Sequence, residues 1–215
     1  MKRTPFLLYF LGLLLFSSVQ PACVKQASPE FEFKDQPRYS GYLYLCTRST
    51  ESKEGRLVRR YNHRETEMSH IGLAFSLSEE GAIYNMYYDR NHQRANDLVR
   101  EDKRQFFISD LDQNNRVWAI AISEEEHKSA VRYLNSVYKK GVQFDFKIDS
   151  NNDEEMYCSE LVYNILIAAN EKRFALKRSQ RKLKKLEALI MKKEAVDYYP
   201  VDFFLAYQDL IAMDW

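Results

Sequence analysis

Charge of one sign is what this chain most plainly lacks. Its 32 basic and 31 acidic residues leave a formal +1, which argues against a dedicated nucleic-acid binder, whose footprint is a basic surplus. No apolar run reaches the roughly 20 residues that a membrane-spanning helix requires; the longest, Phe6 to Phe16, has 11. There is no internal repeat, so a solenoid or propeller is excluded. Cysteine is scarce at three, too few for a fold stapled by several disulfides. Apolar and aromatic residues, by contrast, make up 45% and 14% of the chain. That is ample for a packed core and excludes disorder. A length of 215 residues suits one domain, or one domain with an appended helical element.

The short apolar run takes its meaning from its flanks. Lys2 and Arg3 precede it, so residues 1–23 read as an export signal and are set aside from the fold. Ala22 directly before Cys23 resembles a bacterial lipoprotein signal, in which Cys23 becomes the acylated first residue. Gln20 stands where that signal prefers an aliphatic side chain. With acylation or with ordinary cleavage the chain is exported, to a periplasmic or membrane-anchored place in the cell envelope. Residues 24–38, with Pro29, Pro37 and no clear period, read as a tether. Cys46 and Cys158 then remain and could form one disulfide in an oxidising compartment. Cys46, inside the strand-like Gly41-Tyr42-Leu43-Tyr44-Leu45-Cys46, reads more simply as a small buried apolar residue.

Strand signals follow at 41–47, 70–77, 82–88 and 117–122, with Ser78-Glu79-Glu80-Gly81 as the loop of a hairpin. The polar stretch 48–68 reads as a long surface loop. Ser123 and Glu126 form a capping box for a helix that Gly141 ends, with Ala130, Val131, Leu134 and Val137 on its apolar face. A second helix is expected over about 157–170, and Pro200 can open a last short one. The sum is an α+β domain with an antiparallel sheet packed against helices. Residues 171–194 stand apart, with ten Lys or Arg against three Glu and with Leu183, Leu186 and Ile190 at helical spacing. They suit a basic amphipathic helix on an anionic membrane or wall polymer, or, more simply, a solvated helix.

Two residues carry chemistry. Cys158, in Tyr157-Cys158-Ser159-Glu160-Leu161-Val162-Tyr163, starts an amphipathic helix, where unpaired N–H groups and the helix dipole lower a thiol pKa. His70, in Ser69-His70-Ile71-Gly72-Leu73-Ala74-Phe75, begins an apolar strand, and Gly72 allows close approach. The other histidines have poorer settings: His63 and His92 lie in charged loops, and His127 on the solvated side of the capped helix.

The strand with His70, then Phe144-Asp145-Phe146, then the Cys158 helix together resemble the YiiX/YebB-like branch of the NlpC-type papain-like hydrolases. These are circularly permuted members, related to the lecithin retinol acyltransferase group. The resemblance covers about 41–170, with a weaker echo at Tyr199-Pro200-Val201-Asp202. It implies a circularly permuted papain-like domain over 39–215 that carries the basic segment 171–194, and a thiol hydrolase needing no cofactor. His70 would take the Cys158 proton, the thiolate would attack an amide or ester carbonyl, and the Cys158 N–H would hold the oxyanion. Asn85 stands where the family commonly has Glu; it can orient His70 by accepting its N–H, and glutamate there should keep or raise activity. The substrate implied is a cell-wall peptide, with lipid esters or amides as the alternative. A catalytically silent envelope binding module is the third reading.

Metal motifs are weaker. Asp149, Asn151, Asp153 and Glu160 match a calcium loop, but Glu154 occupies its glycine position. A zinc site on His70 and Cys158 has no third or fourth ligand in view.

Overall fold

The computed structural model describes residues 37–50, 52–64, 67–88, 96–108, 115–148, 152 and 154–214. The export signal, Cys23, most of the tether, His92 and three of the calcium-loop residues lie outside the described residues. Among the described residues no helix is long and apolar enough to cross a membrane.

The chain first lays down β1 (Tyr42–Arg48), α1 (Lys53–Arg59), β2 (His70–Ala74), β3 (Ala82–Met86), β4 (Leu98–Asp102), α2 (Lys103–Ile108) and β5 (Arg116–Ala121). Then come α3 (Glu124–Lys140), β6 (Gln143–Phe144), β7 (Glu155–Met156) and α4 (Cys158–Phe174). The last part holds β8 (Ser179–Lys182), α5 (Lys185–Met191), β9 (Ala195–Tyr198), a 3₁₀ turn at Phe203–Ala206 and β10 (Leu210–Met213). Six strands form an antiparallel sheet in the order β10-β5-β1-β2-β3-β4. The protein is thus α+β, as expected.

Alternation along the strands decides what each face of the sheet meets. Ile71, Leu73 and Phe75 point into the main core with Ala130, Val131 and Leu134 of α3 and Leu161, Val162 and Ile165 of α4. The opposite face carries Cys46, Ala74, Ile83 and Val117, covered by Phe106 of α2. Gly72 lies on that second face because nothing larger fits. A Cβ there would come within 2.7 Å of Ile83 Cγ2 and 3.1 Å of both Phe106 Cε2 and the Tyr84 carbonyl oxygen.

α3 forms as its ends dictate. Ser123 Oγ accepts the Glu126 N–H, the Glu126 carboxylate accepts the Ser123 N–H, and Gly141 closes the helix at φ 73°. Such a box contributes about 1 kcal/mol. α4 keeps regular geometry until Asn170, whose φ of −161° interrupts it.

Several expectations are corrected. The stretch 48–68 contains α1, capped by Ser52, so it is not simply a loop. Residues 171–194 are not one helix: α4 ends in them, and β8 pairs with β9 around α5. Leu183 and Val196 bury against Tyr61, Tyr157 and Tyr198, which makes the segment a hairpin anchored on the domain. Leu186 and Leu189 of α5 remain 69% and 75% exposed. The last short helix starts at Phe203 rather than at Pro200. Cys46 and Cys158 are both free thiols, and no disulfide joins them.

Candidate active site

β2 opens with His70, and the antiparallel register puts Asn85 of β3 on the same sheet face. His70 Nε2 and Asn85 Oδ1 are 2.8 Å apart. The imidazole lies beside Phe106 and Tyr87, with ring centroids at 5.7 and 6.3 Å. It is buried. Burial, and then the charge of Arg48, hold its pKa down to about 3, against a weaker upward pull from Asn85. His70 is therefore a neutral imidazole across the physiological range.

Two further residues, one beside His70 and one behind Asn85, carry no local mark in the sequence. Arg48, opposite His70 in the β1–β2 ladder, is buried and donates from Nη1 to the Phe106 carbonyl at 2.7 Å. Its guanidinium stands 4.8 Å from the Phe106 ring centroid and 5.6 Å from that of Tyr87. Glu101 of β4 accepts a hydrogen bond from Asn85 Nδ2 at 2.8 Å.

Cys158 begins α4 on the helix side of the sheet and is buried in the main core. The backbone N–H groups of Ile71, Ser159 and Cys158 itself, and then the charge of Arg48, pull its thiol pKa down and favour thiolate. Burial outweighs them, and the thiol pKa is raised. The expectation of a helix-depressed pKa is corrected here: desolvation of a buried sulfur exceeds the pull of a helix start. The residues flanking Cys158 are both tied to Tyr199. The Tyr157 hydroxyl accepts the Tyr199 N–H at 2.9 Å, and Ser159 Oγ donates to the Tyr199 carbonyl at 2.7 Å. The echo at 199–202 thus fixes the start of α4.

The structure brings His70 and Asn85 into contact. It sets Cys158 against the peptide that joins His70 to Ile71, and both side chains feel Arg48. Among the described residues no hydrogen bond joins the thiol to the imidazole. The other histidines stand elsewhere. His63 Nε2 meets Ser179 Oγ at 2.6 Å. His127, expected on a solvated face, is instead buried against Phe75 and Tyr39, with ring centroids at 5.2 and 5.6 Å, and burial lowers its pKa. Its position falls on the apolar stripe of α3 with Ala130, Val131 and Leu134. Glu160, from the calcium template, faces Arg178 at 3.8 Å.

The buried histidine makes stability depend on acid. The unfolded chain takes up this proton near the usual 6.5, the folded chain only near 3. Between those values the unfolded state binds more protons, so stability falls as pH drops, by up to about 1.4 kcal/mol per unit. His127 acts in the same direction. The melting temperature should fall from pH 7 to pH 4.5, and less steeply in His70→Gln. Parallel slopes would show that His70 does not govern the acid sensitivity.

Comparison with known proteins places the fold. No family model matches the chain, and no curated protein does. A solved structure, the metalloprotein yiiX from Escherichia coli O157:H7, DUF1105, is similar to it at a TM-score of 0.57 and 16% identity, over 83% of this chain and 97% of that one. At that identity the likeness is one of fold. Among the described residues no three His, Cys, Asp or Glu side chains come together so as to hold a metal ion.

Proposed function

We propose that this chain is an exported thiol hydrolase with a permuted papain-like domain, cleaving amide or ester bonds, with cell-wall peptides as the first substrate class. One observation carries the reading: Cys158 opens helix α4 beside the backbone N–H of Ile71, the residue after a histidine that Asn85 holds in place.

In this reading the Cys158 proton passes to His70 Nδ1 as substrate seats. Sulfur bonds to the carbonyl carbon, and negative charge moves to the carbonyl oxygen, where N–H donors at the α4 start and the Arg48 charge stabilise it. The bond to the leaving nitrogen or oxygen breaks as His70 returns the proton to it. Water then adds to the thioester, giving its proton to His70, and the acid leaves as the proton returns to sulfur. Neutral thiol and neutral imidazole are the resting state. The charged pair forms only during attack.

The purified protein, assayed in parallel on muropeptides and on acyl esters and amides, tests this. Turnover of muropeptides supports the reading, and turnover of acyl esters alone moves the substrate to lipids. A silent binding module is the second reading, favoured by the raised thiol pKa and by the lack of a thiol–imidazole hydrogen bond among the described residues. It predicts no turnover and binding unchanged by Cys158→Ala.

Export and anchoring belong to the same proposal. In a bacterial host Cys23 should carry a diacylglyceryl adduct on the protein extracted from membranes, read by mass spectrometry. A soluble mature chain beginning at another residue would refute it.

A further inference from the structure

We propose that Glu101 is a positioning residue of this site, and that through Asn85 it fixes which nitrogen of His70 carries the proton. The inference rests on the hydrolase reading for its consequence in turnover, but its structural content stands apart from it.

A carboxylate can only accept hydrogen bonds, so the side of Asn85 that meets Glu101 at 2.8 Å must be its NH₂ group. The amide oxygen is thereby turned the other way, toward His70 Nε2 at 2.8 Å. That oxygen also only accepts, so Nε2 must carry the hydrogen. A neutral imidazole has one N–H, which leaves the lone pair on Nδ1. Among the described residues Nδ1 makes no hydrogen bond, so it remains available as a base.

Without Glu101 the Asn85 amide loses the acceptor that sets its direction. An asparagine amide is nearly symmetric in shape and can turn over to present NH₂ to the ring, which would select the opposite tautomer. Glutamate at position 85 would impose the Nε2–H form by itself. Asparagine needs a carboxylate behind it, and β4 supplies one. The Ile83–Glu101 and Asn85–Val99 register brings Glu101 to the same face as Asn85.

This reverses the expectation for Asn85→Glu. With Glu101 in place, a second carboxylate would meet it where a donor now stands, and like charges in contact repel. The single substitution should lower turnover about a hundredfold rather than keep or raise it. Asn85→Glu with Glu101→Gln should return it to within about threefold of the original, since an amide at 101 can donate to a carboxylate at 85. Asn85→Ala should cost about ten- to a hundredfold, and Glu101→Gln about tenfold, in kcat with KM little changed.

Selective ¹⁵N labelling of histidine in the full chain, with His70→Gln to assign the signal, reads the tautomer without any substrate. The expected result is Nε2–H alone in the unmodified protein and loss of that purity in Glu101→Gln. A native Nδ1–H form, or a tautomer and titration untouched by Glu101→Gln, would overturn the proposal. Should Glu101→Gln fail to fold, the native tautomer and the double variant still decide. If the native protein turns over no acyl substrate, the hydrolase reading fails while the tautomer measurement still judges Glu101.

Discussion

Cys158→Ala is expected to remove hydrolysis, by about a thousandfold or more, and to leave the fold in place. The large loss follows because the thiol is the group that forms the acyl intermediate, and members of such a unit fail together. The small structural cost follows from size: removing one sulfur from a core-facing position costs about 1 kcal/mol. For a domain of this length that moves the melting temperature by about 2–4 °C. Tyr157 and Ser159 keep their bonds to Tyr199, so the start of α4 stays anchored in the variant. The measurement pairs turnover on whichever substrate the native protein accepts with a melting curve. An unfolded variant would make Cys158 a structural core residue, and a folded, fully active one would remove it from catalysis.

What could be read beforehand follows the range of the interactions involved. The α3 boundaries were legible because Ser123, Glu126 and Gly141 act on backbone within a turn or two of themselves. β1, β2, β3 and β5 were legible because their apolar runs are dense. β4 was missed because Leu98 and Val99 are followed by Arg100, Glu101 and Asp102, a half-polar run at the sheet edge. With it went Glu101, whose partner Asn85 is reached only through strand pairing. Arg48 was hidden for a related reason: nothing local marks an arginine that will be buried between two rings from other elements.

His127 was legible and was misread. Its charged neighbours suggested solvent, but its spacing from Ala130, Val131 and Leu134 follows the helical period that marks a buried stripe. The segment 171–194 fails in the opposite sense. Its helical spacing holds only within the short α5, and tertiary burial of Leu183 and Val196 goes with strand pairing on either side of it.

His70→Ala is expected to lower turnover by about a hundred- to ten-thousandfold, the cost of losing a positioned base. The loss should be smaller than that of Cys158→Ala, because the sulfur, its N–H donors and Arg48 all remain. The dependence on pH separates this from misfolding. In the native protein the imidazole stays neutral down to about 3, so turnover should show no acid limb at 6.5 while the protein remains folded. In His70→Ala the thiol must lose its proton to solvent, and burial has raised its pKa. The residual rate should therefore climb about tenfold per pH unit through the neutral and alkaline range. Truncation also opens space between Phe106 and Tyr87, the rings that now flank the imidazole. Added imidazole should partly restore the rate at neutral pH, and should do nothing for His70→Gln, where the space stays filled. A native acid limb at 6.5 would mean that His70 titrates normally when the site is at work. A His70→Ala rate independent of pH and unmoved by imidazole would mean that another group takes the proton of Cys158.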